Sequence, residues 1–135
     1  MPSIVPRFGA QNLQISYTPN AAIVAGQVVE RLAGTRLVTP AGAGSLRVVG
    51  VALTDAPAAA AHLGGAKVGD ELGVTVARNC VVLVTYALAA VPGDKLIAAA
   101  SGQVTPAGAA PDARTVIGEC FDAAANGATA LALIY

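Results

Sequence analysis

The sequence predicts an all-β protein, a small closed barrel or sandwich of about 8–10 short strands. Two observations carry this. From Ala21 onward, short Val/Leu/Ile runs alternate with Gly, Pro, Asn and Asp at intervals of roughly ten residues. The text then repeats itself in order: AIVAGQVV (22–29) parallels AVPGDKLI (90–97), VTPAGA (38–43) recurs at 104–109, and VVGVALTDA (48–56) parallels VIGECFDAA (116–124), with offsets of 66 to 68 residues. A pseudo-duplicated chain, with halves at about 22–76 and 90–135, can close on itself and so remove exposed sheet edges.

Residues 1–20 read as an extended N-terminal arm. Pro2, Pro6 and Pro19 break any helix, and the stretch 11–17 offers only a brief alternation at Leu13, Ile15 and Tyr17. Such a segment is either an ordinary terminus or edge strand, or an arm that adds to a neighbour. Ile4, Val5, Arg7, Phe8, Leu13, Ile15 and Tyr17 are the candidate partner-binding residues.

Residues 21–135 form one β domain. Ile23 to Leu32 reads as a strand that Ala33-Gly34-Thr35 turns back into Arg36 to Thr39. After a loop from Pro40 to Ser45 comes the strand Leu46 to Thr54. Asp55 as N-cap, Pro57 in the first turn and Gly64-Gly65 as a stop predict one short helix near 57–63. Glu71 to Ala77 and Cys80 to Ala87 are expected to form a hairpin about Arg78-Asn79. Val81 to Val84 is apolar on both faces, as in a central strand or one at a subunit interface. Lys95 to Ala99 and Gln103 to Thr105 form a hairpin through Ser101-Gly102. Arg114 to Phe121 and Ala128 to Tyr135 close the chain around the tight-turn dipeptide Asn126-Gly127. In the last strand Leu131, Leu133 and Tyr135 share one face, which is expected to be the buried one, and Ala130, Ala132 and Ile134 share the other.

Composition narrows the function. Eight basic residues balance eight acidic ones, and the basic residues are scattered singly, so no nucleic-acid footprint is present. Only 12% of residues are charged, about half the usual share. Such a surface suits a protein covered by identical copies or by a partner. No apolar run is long enough to span a membrane, and residues 1–10 lack the pattern of a signal peptide. Cys80 and Cys120 are expected as reduced, buried small hydrophobes.

The search for chemistry finds little. His62 stands alone in an alanine run, as a surface or helix-end residue would. One His and two distant Cys do not make a metal ligand set. The acids Asp55, Asp70, Glu71, Asp94, Asp112, Glu119 and Asp122 fall mostly at turns and strand ends, and no phosphate-loop motif occurs. No catalytic, cofactor-binding or metal-binding residue is expected.

The blocks VVGVALTDA, GDELGVTVARNCVVLVTYA, VPGDKLIAAASGQVTPAG and TVIGECFDAAANGATALALIY together resemble the capsid decoration (cement) proteins of tailed bacteriophages over residues 22–135. Cys120 and Phe121 depart from that pattern, and the arm has no match in it. The resemblance implies a non-catalytic protein on the outer face of the head, made in the host cytoplasm. It implies the major capsid protein and further copies of the chain, as a homotrimer, for partners, and neither nucleic acid nor membrane. The alternatives are another virion component, such as a tail tube or head-fibre base, and a small-ligand or glycan-binding β module. The last has only Phe8, Tyr17, Tyr86, Phe121 and Tyr135 for an aromatic platform.

Overall fold

The structure, a computed structural model, describes residues 13–56, 74–109 and 111–135. Ile4, Val5, Arg7, Phe8, His62 and the helix expected near 57–63 lie outside the described residues.

The described chain is all-β. Its strands are β1 (Leu13–Pro19), β2 (Val28–Arg31), β3 (Leu37–Pro40), β4 (Val48–Ala52), β5 (Val74–Arg78), β6 (Cys80–Thr85), β7 (Lys95–Ala98), β8 (Val104–Pro106), β9 (Val116–Cys120) and β10 (Thr129–Ile134). The first five close a barrel in the order β1-β3-β2-β4-β5, and the last five form a sheet in the order β6-β10-β9-β7-β8.

The two sheets are the same structure built twice. β1 runs antiparallel to β5 and meets β3 in parallel at Thr18 and Pro19. β6 runs antiparallel to β10, and the chain just past it meets β8 in parallel at the bridge Tyr86–Val104, which brings the ends of the second sheet together. The hairpin β2–β3 pairs Val29 with Pro40, and β7–β8 pairs Leu96 with Pro106. β2 slips against β4 between Val29 and Glu30, and β7 slips against β9 between Leu96 and Ile97. Even the turns agree. Gly26 N donates to Ala52 O and Ala52 N to Gln27 O, just as Gly93 N donates to Cys120 O and Cys120 N to Asp94 O.

Several expectations are corrected. Residues 13–19 are not part of an arm: they are β1, the counterpart of β6, so the first half begins at Leu13 rather than near residue 22. β5 and β6 do not form a hairpin, because β5 already pairs with β1 on one edge and β4 on the other. Asn79, in the left-handed region with φ 58°, instead carries the chain from the first barrel to the second, a conformation asparagine tolerates. The strand expected from Ile23 to Leu32 is cut to β2 by a tight turn, in which Gln27 N donates to Val24 O. In β10 it is the small face that is buried, with Ala132 and Ile134 inside and Leu131 and Leu133 half-exposed. Ala132 and Ile134 pack there with Tyr86, Leu96 and Val104.

The interior of the first barrel is filled by Ile23, Val29, Val38, Ala52, Ala56, Val74 and Val76. A second core fills the other barrel around Tyr86, Leu96 and Val104 and continues through Val28, Ala41 and Val51 of the first, which welds the two together. Backbone bonds seal the seam: Gly44 N to Ala98 O and Gly102 N to Ala41 O, both at 2.9 Å.

Candidate functional site

Because the chain holds two copies of one barrel, each copy is a control for the other. Alternation along a strand sends every second side chain outward. On the outward face of β6 and β10, Val81 stands opposite Leu133 and Leu83 opposite Leu131. At the same places in the first barrel, Gln14 stands opposite Ala77 and Ser16 opposite Thr75. The fold therefore accepts polar or small residues at these positions, and the second barrel carries large apolar ones. Leu83 is 56% exposed and Val81 40%. Phe121, 51% exposed, borders Leu131, whose carbonyl accepts its backbone N–H. Thr85 and Thr129 close one end of the patch with their hydroxyls 3.3 Å apart. A contiguous apolar sheet face of this kind is a candidate interaction surface, where single exposed apolar residues are not.

The sequence pointed elsewhere for partner contacts. Ile4, Val5, Arg7 and Phe8 are outside the described residues. Leu13, Ile15 and Tyr17 lie together in β1, part of the barrel wall. Tyr17 is half-buried against the first core, and Ile15 is 44% exposed. Val81, Leu83, Phe121, Leu131 and Leu133 were not among those candidates. The two-sided apolar run at 81–84 was their signal in the sequence.

The polar groups are structural in arrangement. Lys95 Nζ donates to Glu119 Oε1 at 3.1 Å and to the Tyr135 hydroxyl at 2.8 Å, and that hydroxyl donates to Glu119 Oε1 at 3.1 Å. These bonds raise the Lys95 pKa, the Tyr135 contact most, and lower that of Glu119, the Lys95 contact most. Arg114 grips Asp112 with two nitrogens, at 3.2 and 2.8 Å, which lowers the Asp112 pKa. The buried Tyr86 hydroxyl donates to Leu131 O at 3.0 Å, and burial, more than the neighbouring Cys120 and Asp122, pushes its pKa far above the ordinary phenol value. Burial also raises the Cys80 thiol, the reverse of what an activated nucleophile needs. Cys120, buried, donates to Asp122 O. Among the described residues, no three His, Cys, Asp or Glu side chains come close enough together to hold a metal ion, and no helix is long and apolar enough to cross a membrane.

No protein-family model matches the chain, and no curated protein matches it. A solved structure does: the N base of the head fiber gp8.5 of bacteriophage phi29, with a TM-score of 0.63 and 17% identity over 92% of this chain and 94% of that one. The likeness covers most of both chains and shows that they share a fold.

Proposed function

We propose that the protein is a non-catalytic structural component of a tailed-phage virion, held on the outer surface of the head. The observation that carries this reading is the whole-chain likeness to the phi29 head fiber base. The apolar outward face of β6 and β10 supports it, as does a chain with only 12% charged residues.

The partners in this reading are the major capsid protein and further copies of the chain. Permanent contacts between identical subunits are more apolar than transient ones, and their centres are poor in Lys, Glu and Asp. The Val81, Leu83, Leu131 and Leu133 face has that character, and we assign it to a homotrimer whose copies turn it toward a common axis. Multiple copies would bind a symmetric head with avidity, and a ligand that binds only the assembled shell stabilises it.

Decoration protein and fibre base are two forms of this one role. The sequence blocks favour the first, and the structural likeness favours the second. The test is co-sedimentation of the purified protein with heads that lack it, with copy number measured. Saturation near the number of capsid subunits establishes decoration, and a few copies per head establish a fibre base. Absence of binding to every head form would refute the reading.

A further inference from the structure

One end of the first barrel is ringed with arginine. Arg31 ends β2, Arg47 immediately precedes β4 and Arg78 ends β5, so three strands distant in sequence bring their cations to one place. With Tyr17, Leu32 and Val49 they line a cleft of about 480 Å³. Among the described residues, no acidic side chain lines it. Among the described residues, Glu119 and Asp112 pair with Lys95 and Arg114, while Glu30, Asp55 and Asp94 accept backbone N–H groups of Gly42, Ala25 and Val91.

The second barrel shows that the fold does not require these cations. Its residues at the places of Arg31, Arg47 and Arg78 are Ala98, Thr115 and Ile134. Ala98 and Ile134 are each 1% exposed and plug that end with apolar atoms. In the first barrel, among the described residues, the same end is a cleft lined by arginines. Like charges held together carry a repulsive cost.

We propose that this cleft binds an acidic protein segment, with side-chain carboxylates on the three guanidinium groups and an apolar side chain against Leu32 and Val49. Guanidinium matches carboxylate in paired hydrogen bonds. A nucleic acid fits less well, because its phosphates call for a track of cations. Here they are confined to one recess on a chain of zero net charge. The stretch 1–12 contains Arg7 and no acid, so it cannot supply the carboxylates. The stretch 57–73, which carries Asp70 and Glu71, lies outside the described residues. The site rests on the barrel's own geometry, independently of the virion role.

The test is titration of the full chain with acetylated hexaglutamate, with a thymidine hexanucleotide and inorganic phosphate as competitors, followed by amide chemical shifts and calorimetry. Saturable hexaglutamate binding is expected, with shifts centred on Arg31, Arg47 and Arg78. Arg47→Gln and Arg78→Gln should each weaken it about tenfold, as loss of one charge-assisted contact does, and Arg114→Gln should leave it unchanged. Circular dichroism confirms that the variants are folded. Lack of saturable binding, equal binding by all variants, or tighter binding of the hexanucleotide would overturn the proposal. Failure to bind heads would not, since it tests a different claim.

Discussion

Val28 and Lys95 occupy the same position in the two barrels, yet Val28 is fully buried and Lys95 is half-exposed. Val28 pairs with Val51 across β2 and β4, and Lys95 pairs with Glu119 across β7 and β9. The outward face of the first barrel at this point is the seam between barrels. The matching face of the second barrel is solvent, and there an ion pair replaces the valines. One fold thus carries two surface chemistries, chosen by what covers each copy.

This relationship predicts opposite outcomes for exchanging the two sets. Val28→Lys buries an unpaired charge in the seam and should cost about 3–5 kcal/mol. Lys95→Val with Glu119→Val removes a solvated pair and its exposed hydrogen bonds to the Tyr135 hydroxyl, and should leave the denaturant midpoint essentially where it was. Chemical unfolding of both proteins checks this. A wild-type midpoint for Val28→Lys would show that the seam is not a packed interface.

Gly50 and Gly118 sit at equivalent places in β4 and β9. A Cβ on Gly50 would strike the Ala77 carbonyl oxygen, and one on Gly118 the Leu133 carbonyl oxygen. Gly50 also has φ +150°, which L side chains rarely adopt. Backbone cannot swing aside as a side chain does, so Gly50→Ala and Gly118→Ala should each cost about 2–3 kcal/mol. Thermal unfolding of each variant measures the loss.

The repeat was legible where both copies do the same job. VTPAGA builds β3 in one barrel and β8 in the other, and the Gly50 and Gly118 blocks both need a residue without a Cβ. It was hidden where the jobs differ. β1 reads LQISYTP and β6 reads CVVLVT because their outward faces meet different surroundings, so β1 passed for an arm. The return to β5 uses residues 53–73 while the return to β10 uses only 121–128, which also broke the period. The arginine cleft was illegible for another reason. Arg31, Arg47 and Arg78 looked scattered along the chain, and only barrel closure brings them to one end.

Tyr86 gives a pH-dependent prediction. Its phenol pKa is raised in the folded state by burial first and by Cys120 and Asp122 after it. At alkaline pH the unfolded chain therefore loses this proton before the folded one does. Stability is then fully present below the ordinary phenol pKa of about 10 and falls as pH rises above it. Tyr86→Phe should remove this tyrosine's part of the alkaline loss. At neutral pH it should cost about 1 kcal/mol, the net value of the bond to Leu131 O. Unfolding free energies at neutral and alkaline pH, compared between the two proteins, test both signs.

The apolar face can be tested with residues the molecule already uses. Ser16 and Thr75 stand in the first barrel where Leu83 and Leu131 stand in the second. Leu83→Ser with Leu131→Thr therefore places side chains the fold has already accepted at that pair. Since the leucines face outward, the double variant should unfold within about 1 kcal/mol of the parent monomer. If copies associate through this face, light scattering should show the parent as an oligomer and the variant as a monomer. The converse exchange, Ser16→Leu with Thr75→Leu, builds an apolar face on the first barrel and should create an association the parent lacks. A parent that stays monomeric at high concentration would reassign the face to a different partner. A double variant that keeps the parent's oligomeric state would place the subunit contact elsewhere on the molecule.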